Sequence, residues 1–286
     1  MDLLIVGQDK NGKVLLMEKF SRNGNQHSRL RNIYQKNINK IYPPLKYQNL
    51  IYNKCNYYSF LKRHKFPVAK WFCFSKKTFI KNKIDLMTRL KKQTSKWGRL
   101  FAKPVHGVDG KDVKKLYDSI NPKFNQEIIN YATSIFDNPR YPHIVVQKFY
   151  ENFEQNIPQF RLYFLDEKLS HSILGIYSNK EYKTYTPVQE NKLMSNTYDF
   201  PDYFKLKKIA IKIIKKIKQR YFKNKLMFIT RIDFGCCLDS EDSKYFINEL
   251  EFNPGLYLHQ DGSRKYNFDI KAGNLLLKII KSYSNN

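Results

Sequence analysis

The sequence predicts an α+β protein. Strands and helices are interspersed along its 286 residues without regular βαβ alternation. An amphipathic helix over 203–222 is followed directly by a pair of strands over 228–252. Apolar residues make up 42% and aromatics 15%, too many for a disordered chain and enough for a sizeable core. The mean hydropathy of −0.62 and the lack of any apolar run near ~18 residues exclude a membrane-spanning helix. Asp2 stands where a signal peptide needs a base, so no secretory leader is expected. Cys55, Cys73, Cys236 and Cys237 show no zinc spacing, and the adjacent pair is a poor disulfide framework. A reducing, cytoplasmic compartment is the expectation.

Taken in order, Leu3–Val6 and Val14–Met17 read as a hairpin turning through Lys10-Asn11-Gly12. Residues 20–50 are polar and basic and end at Pro43-Pro44, the pattern of a loosely packed arm. Asn53 sits at the N-cap of a helix over 54–65 that buries Tyr58, Leu61 and Tyr57, and Pro67 stops it. A strand over 68–74 follows. Ile84, Leu86, Met87 and Leu90 then recur at helical spacing over 81–92. Leu100–Pro104 is a short strand entering a glycine-bearing loop, and His143–Phe149 is a strand with an apolar centre. Residues 160–165 and 170–177 pair across Asp166-Glu167-Lys168.

The helix over 203–222 carries one stripe of Leu206, Ile209, Ala210, Ile213, Ile214, Ile217 and Tyr221. Its lysines, Lys218 included, fall mainly off that stripe and read as a solvated face. Strands over 228–237 and 245–252 flank a turn at 239–243. A last helix over 270–283 turns Leu275, Leu276, Ile279 and Ile280 inward.

The charge is strongly unbalanced: 52 Lys and Arg against 25 Asp and Glu give +27. Codon bias toward Lys, Asn, Ile and Tyr accounts for part of it but not for the shortage of acids. A polyanionic partner is the other explanation.

Three features carry chemistry. Lys103-Pro104 ends a strand, and Gly107 and Gly110 follow in a loop whose amides can approach an anion; the Gly-Lys-Ser/Thr ending of a Walker loop is missing. Arg231 and Asp233 alternate onto one face of their strand, as Glu249, Glu251 and Asn253 do on the next. Oxygen donors converging this way suit Mg²⁺, and like charges in an acid-poor chain are costly without an offsetting cation. Solvated acids on an exposed edge strand are the competing reading. Lys54, at the start of the helix after Asn53, can clamp phosphate as a point charge, although a lone lysine is more often an ordinary surface residue.

The order of these motifs resembles the ATP-grasp superfamily from about residue 48 onward. Asn53-Lys54 with Pro67–Trp71 is similar to the opening of D-alanine–D-alanine ligase-type enzymes. Lys103-Pro104 with Gly107 and Gly110 is similar to the phosphate-covering loop. Val145–Asn152 followed by Phe160–Tyr163 resembles the adenine hinge of tubulin-tyrosine-ligase-like enzymes, and Arg231-Ile232-Asp233 with Glu251–Gly255 resembles the metal strands. Gln159 departs from the acid that many relatives place before the Phe-Arg pair, and either Glu249 or Glu251 fits as the metal glutamate.

The resemblance implies two α+β subdomains gripping ATP, residues 48–148 and 149–286, after a short atypical N-terminal segment, residues 1–47. It implies that Lys54 and Lys103 hold ATP phosphates, that Gly107 and Gly110 let the loop close, and that Gln147, Lys148 and Phe149 meet adenine. Asp233, Glu251, Asn253 and Glu249 would bind two Mg²⁺ ions, with Arg161 and Arg231 stabilising the transferring charge. The implied activity is a carboxylate–amine ligase working through an acyl phosphate. Its expected acceptor is anionic, an acidic peptide or protein or a phosphorylated small molecule. The alternatives are an ATP-grasp kinase for a polyanion such as an inositol phosphate, and an inactive grasp domain serving as a basic nucleic-acid module, the less favoured partner class.

Overall fold

In a computed structural model, described residues are 4–5, 41–106, 112–138, 141–150, 158–178, 181–188, 203–236, 245–252 and 268–284. Among them a four-stranded sheet and a five-stranded sheet, both antiparallel throughout, carry seven α-helices. The α+β class expected from the sequence is the observed one.

The smaller sheet has the order β3 (Trp71–Ser75), β6 (His143–Lys148), β4 (Leu100–Pro104), β5 (Lys114–Leu116). One face holds Phe74, Ile144, Val146, Leu100, Ala102 and Leu116, buried beneath the helices α4 (Lys83–Thr94) and α5 (Phe124–Asp137). Period-2 alternation leaves Trp71 and Cys73 on the opposite face, in register with Gln147 and Val145, and those with Phe101 and Lys103. A short helix α3 (Lys76–Lys81) precedes α4, and Ser75 and Asn82 cap the two separately. The helix expected over 81–92 is α4, two residues further along, and α3 is an additional short helix before it. Ile84, placed in its apolar repeat, is 83% exposed two positions after the Asn82 cap.

The larger sheet has the order β11 (Tyr245–Phe252), β10 (Ile229–Cys236), β7 (Pro158–Leu165), β8 (Lys168–Ser178), β9 (Glu181–Pro187). Leu162, Phe164, Ile232, Phe234, Leu250 and Phe252 form its core face. Against them pack α1 (Leu45–Ile51), α2 (Lys54–Arg63) and α6 (Tyr203–Ile217). The other face is covered at one end by α7 (Phe268–Ser284), whose Ala272 meets Tyr163, Ile173 and Ile229. The remainder of that face carries the charged residues.

Two local features, the end of the basic arm and Lys218, correct the sequence reading. Leu4-Ile5 (β1) pairs in parallel with Ile41-Tyr42 (β2), while Val14–Met17, expected as its hairpin partner, lies outside the described residues. The end of the supposed loose arm is core: Tyr42 and Tyr47 stack edge-on against Phe222 and Phe252. Polarity hid this, because two buried tyrosines and Leu50 carry the burial among lysines and amides. Lys218 is the second case. α6 runs into one π turn (Lys218–Phe222), which swings Lys218 inward to Asp166 at 2.9 Å and Glu167 at 2.7 Å.

A β-bulge completes the frame. Asp233 pairs with Glu249, yet Phe234 pairs with Ile247, so Asn248 has no partner residue in β10. The extra residue switches the alternation. Leu250 and Phe252 after it, and Tyr245 and Ile247 before it, all reach the same core.

Candidate active site

The register of the large sheet brings the acids together. Arg231 stands opposite Glu251, and Asp233 opposite Glu249, on neighbouring strands. Carboxylate oxygens of Asp233, Glu249 and Glu251 lie within 4.8 Å of one another. Arg231 locks the group: its Nε donates to Asp233 Oδ1 at 2.7 Å and its Nη2 to Oδ2 at 2.9 Å, a bidentate pair. The same Nη2 donates to Glu251 Oε1 at 2.7 Å. On the other flank β7 places Arg161 opposite Asp233, with Nε 3.7 Å from Oδ2, and Tyr163 opposite Arg231, the guanidinium 5.9 Å above the ring.

Burial makes these charges interact strongly. Arg231 and Asp233 are buried, whereas the Glu249 and Glu251 side chains are each 30% exposed and form the open side. Withdrawal from water, with the Glu249 and Asp233 charges added, pushes Glu251 up to about 8 against the opposing pull of Arg231. Burial acts on Glu249 too, but Lys54, Arg231 and Lys103 outweigh it and hold this carboxyl below its usual range. Three oxygens crowded beside one arginine, with a proton retained at neutral pH, are the donor set that a hard divalent cation relieves. The residues fit Mg²⁺.

The lysines face this cluster from other elements. Asn53 caps α2 by accepting from the Asn56 amide, which sets Lys54 on the first turn. The Lys54 amide bonds to the Val105 carbonyl just beyond β4, and its Nζ is 3.7 Å from Glu249. Lys103, in β4, donates from Nζ to the Tyr58 hydroxyl at 2.8 Å. Burial and then the Lys54 charge pull Lys103 down to about 7, with Glu249 partly restoring it. One constellation thus holds Lys54, Lys103, Arg161, Arg231, Asp233, Glu249 and Glu251.

Other expected site residues stand apart or outside the described residues. Gln147 is fully buried, and its Nε2 has no hydrogen-bond partner among the described residues. The amides of Lys148 and Phe149 already donate to the carbonyls of Lys70 and Arg99, both at 2.9 Å. Gly107, Gly110 and Asn253 lie outside the described residues. Tyr58 was read from the sequence only as a buried helix residue; nothing in its spacing shows that its hydroxyl meets Lys103. Cys55 and Cys73, for which the sequence suggested no bond, are joined as a disulfide with Cα atoms 6.2 Å apart. The fold lays the first turn of α2 over β3, a proximity that a sequence separation of 18 does not announce.

No family model and no curated protein matches the sequence. Solved structures do resemble the fold. D-cycloserine synthetase DcsG is 14% identical with a TM-score of 0.60, over 90% of this chain and 85% of that one. D-alanine–D-alanine ligase from Bacillus anthracis, complexed with ATP, is 15% identical with a TM-score of 0.53, over 85% and 69%. The ATP-grasp ligase PsnB, complexed with a minimal precursor, is 13% identical with a TM-score of 0.55, over 94% and 75%. The two antiparallel sheets with their helices match these structures. This chain has the ATP-grasp fold.

Proposed function

We propose that the protein is an ATP- and Mg²⁺-dependent ligase that joins a carboxylate to an amine through an acyl phosphate. The observation that carries this reading is the Asp233–Glu249–Glu251 cluster, clamped by Arg231 and faced by Lys54 and Lys103. Lys54 and Lys103 would hold phosphate oxygens as point charges, and Gly107 and Gly110 would let the covering loop approach them. Gln147, with a buried amide nitrogen to offer, would meet the base at the hinge. Arg231 and Arg161 would offset charge that grows as the phosphoryl group moves. Asp233, Glu251 and Asn253, with Glu249 beside them, would hold Mg²⁺, two ions in the fullest reading. When bound, the metal neutralises phosphate charge and polarises the transferring group. Positioning and fixed charge supply the catalysis in this scheme, with no covalent enzyme intermediate.

The acceptor would be an acidic peptide or protein. Two features support it: the +27 charge, and a fold shared with PsnB, whose structure is described with a minimal precursor, Mg and ADP.

Thermal unfolding with and without nucleotide tests the first half. A ligand bound only by the native state adds roughly 2.7 kcal/mol at a hundredfold excess over Kd, so ATP with Mg²⁺ should raise Tm clearly. No shift with any nucleotide would sink the reading. Turnover tests the second half. Asp233→Asn and Glu251→Gln should each cost about 100-fold in kcat while the fold persists. Damage from Glu249→Gln in place of Glu251→Gln would make Glu249 the metal glutamate. Product mass from an acceptor panel separates amide formation from phosphate retained on a hydroxyl, the kinase outcome.

A further inference from the structure

One oxygen joins four elements of the molecule. The Tyr58 hydroxyl, on α2, accepts from Lys103 Nζ of β4 at 2.8 Å. It lies 3.0 Å from the Asn248 carbonyl of β11 and 3.4 Å from Gln147 Oε1 of β6. A phenol has one proton to give, and the shorter contact, with the backbone carbonyl, is the better acceptor for it. Burial pushes the phenol well above its ordinary range, so that proton stays in place. The ring cannot swing away, since Tyr58 is fully buried, 4.6 Å from the Tyr57 ring and 5.7 Å from Trp71.

The Asn248 carbonyl is a special acceptor. Asn248 is the bulged residue of β11, without a partner in β10, and it immediately precedes Glu249. Bulges re-aim the side chains next to them, and their backbone groups need partners from outside the ladder. Tyr58 supplies one. The same hydroxyl that fixes Lys103 therefore anchors the irregularity that turns Glu249 and Glu251 onto the charged face.

We infer that Tyr58 is a positioning residue, which aims Lys103 at the nucleotide phosphates and ties that lysine to the carboxylate strand. The inference rests on the nucleotide reading above and adds the residue through which the two sides of the site are joined. An ammonium group buried without a fixed acceptor would be free to retract from the phosphate. Lys103 is held instead by an oxygen that is itself held by the strand opposite.

Tyr58→Phe keeps the ring and removes only the oxygen, and wild-type nucleotide binding is measured first. Lys103 would grip phosphate alike in the ground and transition states, so the change should appear as binding. The expected result is a KM for ATP about tenfold higher, with kcat and the acceptor KM within about twofold. Lys103→Met should show the same pattern, and Tyr58→Phe added to it should cost nothing more, because both act through one contact. A packing role alone would lower Tm without moving the ATP KM, or would add to Lys103→Met; either result overturns the inference and leaves the nucleotide reading standing. A wild-type protein that binds no nucleotide overturns both.

Discussion

Glu251 and Lys103 are pushed from their ordinary protonation in opposite directions, and the consequences for stability oppose each other. In the metal-free protein Glu251 keeps its proton to about 8, against an ordinary value of 4.5. Between those limits the folded state holds a proton that the unfolded chain has lost. Its contribution is full below about 4.5 and disappears as the pH rises through about 8. Lys103, lowered from 10.5 to about 7, carries a burial penalty that is full below 7 and relieved toward 10.5. Metal-free Tm should therefore fall from pH 5 to 7 and recover above about 8. Glu251→Gln should flatten the fall while leaving the alkaline recovery, as read by calorimetry in a chelator. A fall that survives Glu251→Gln would place the proton elsewhere. These residues were legible beforehand because strand alternation alone sets Arg231 with Asp233 and Glu249 with Glu251. Their convergence followed from pairing the two strands across a turn; which residue stands opposite which was not legible, since it depends on the register between β10 and β11.

At the scale of elements, what the sequence concealed follows from specific tertiary effects. The helix α5 buries Phe124, Ile128, Tyr131, Ala132, Ile135 and Phe136 at plain helical spacing, a pattern that the sequence itself carries. The bulge at Asn248 and the π turn after α6 leave no such pattern, because each is a local accommodation to a neighbour. Lys218 shows the cost of ignoring that. Its two ion pairs fasten the end of α6 to the β7–β8 turn, where Asp166 also accepts from the Met227 amide at 3.0 Å. Removing one partner of a buried pair is expensive, though Glu167, 39% exposed, keeps part of its solvation. Lys218→Met should lower stability by about 2 kcal/mol in urea unfolding, with ATP-dependent stabilisation intact. A change under about 0.5 kcal/mol would rank the pairs with ordinary surface bridges.

Across the whole molecule the unexplained quantity is charge, and its distribution is uneven. No Asp or Glu occurs between Glu18 and Asp85, a stretch with 16 Lys and Arg. The order of lysine, glycine and carboxylate motifs along the chain pointed to the fold that the solved structures share. Charge keeps no such order and must be traced by experiment. The lysines Lys208, Lys215 and Lys216 of α6 are exposed on the side away from its apolar stripe. Arg264 and Lys265 follow β11, the strand of Glu249 and Glu251, in sequence. If the positive field recruits an anionic acceptor, its binding should weaken steeply with salt, since exposed charges are screened over about 8 Å at physiological ionic strength. ATP binding, which in the proposed scheme is bridged by Mg²⁺ at the buried carboxylates, should respond far less. Charge reversal at Arg264 and Lys265 should raise the acceptor KM several-fold and flatten its salt dependence, with the ATP KM little changed. The same reversal at Lys208, Lys215 and Lys216 should do neither. Equal effects from both sets would mean that charge is read along an extended surface, as a nucleic-acid backbone is read, and would displace the acidic peptide as the partner.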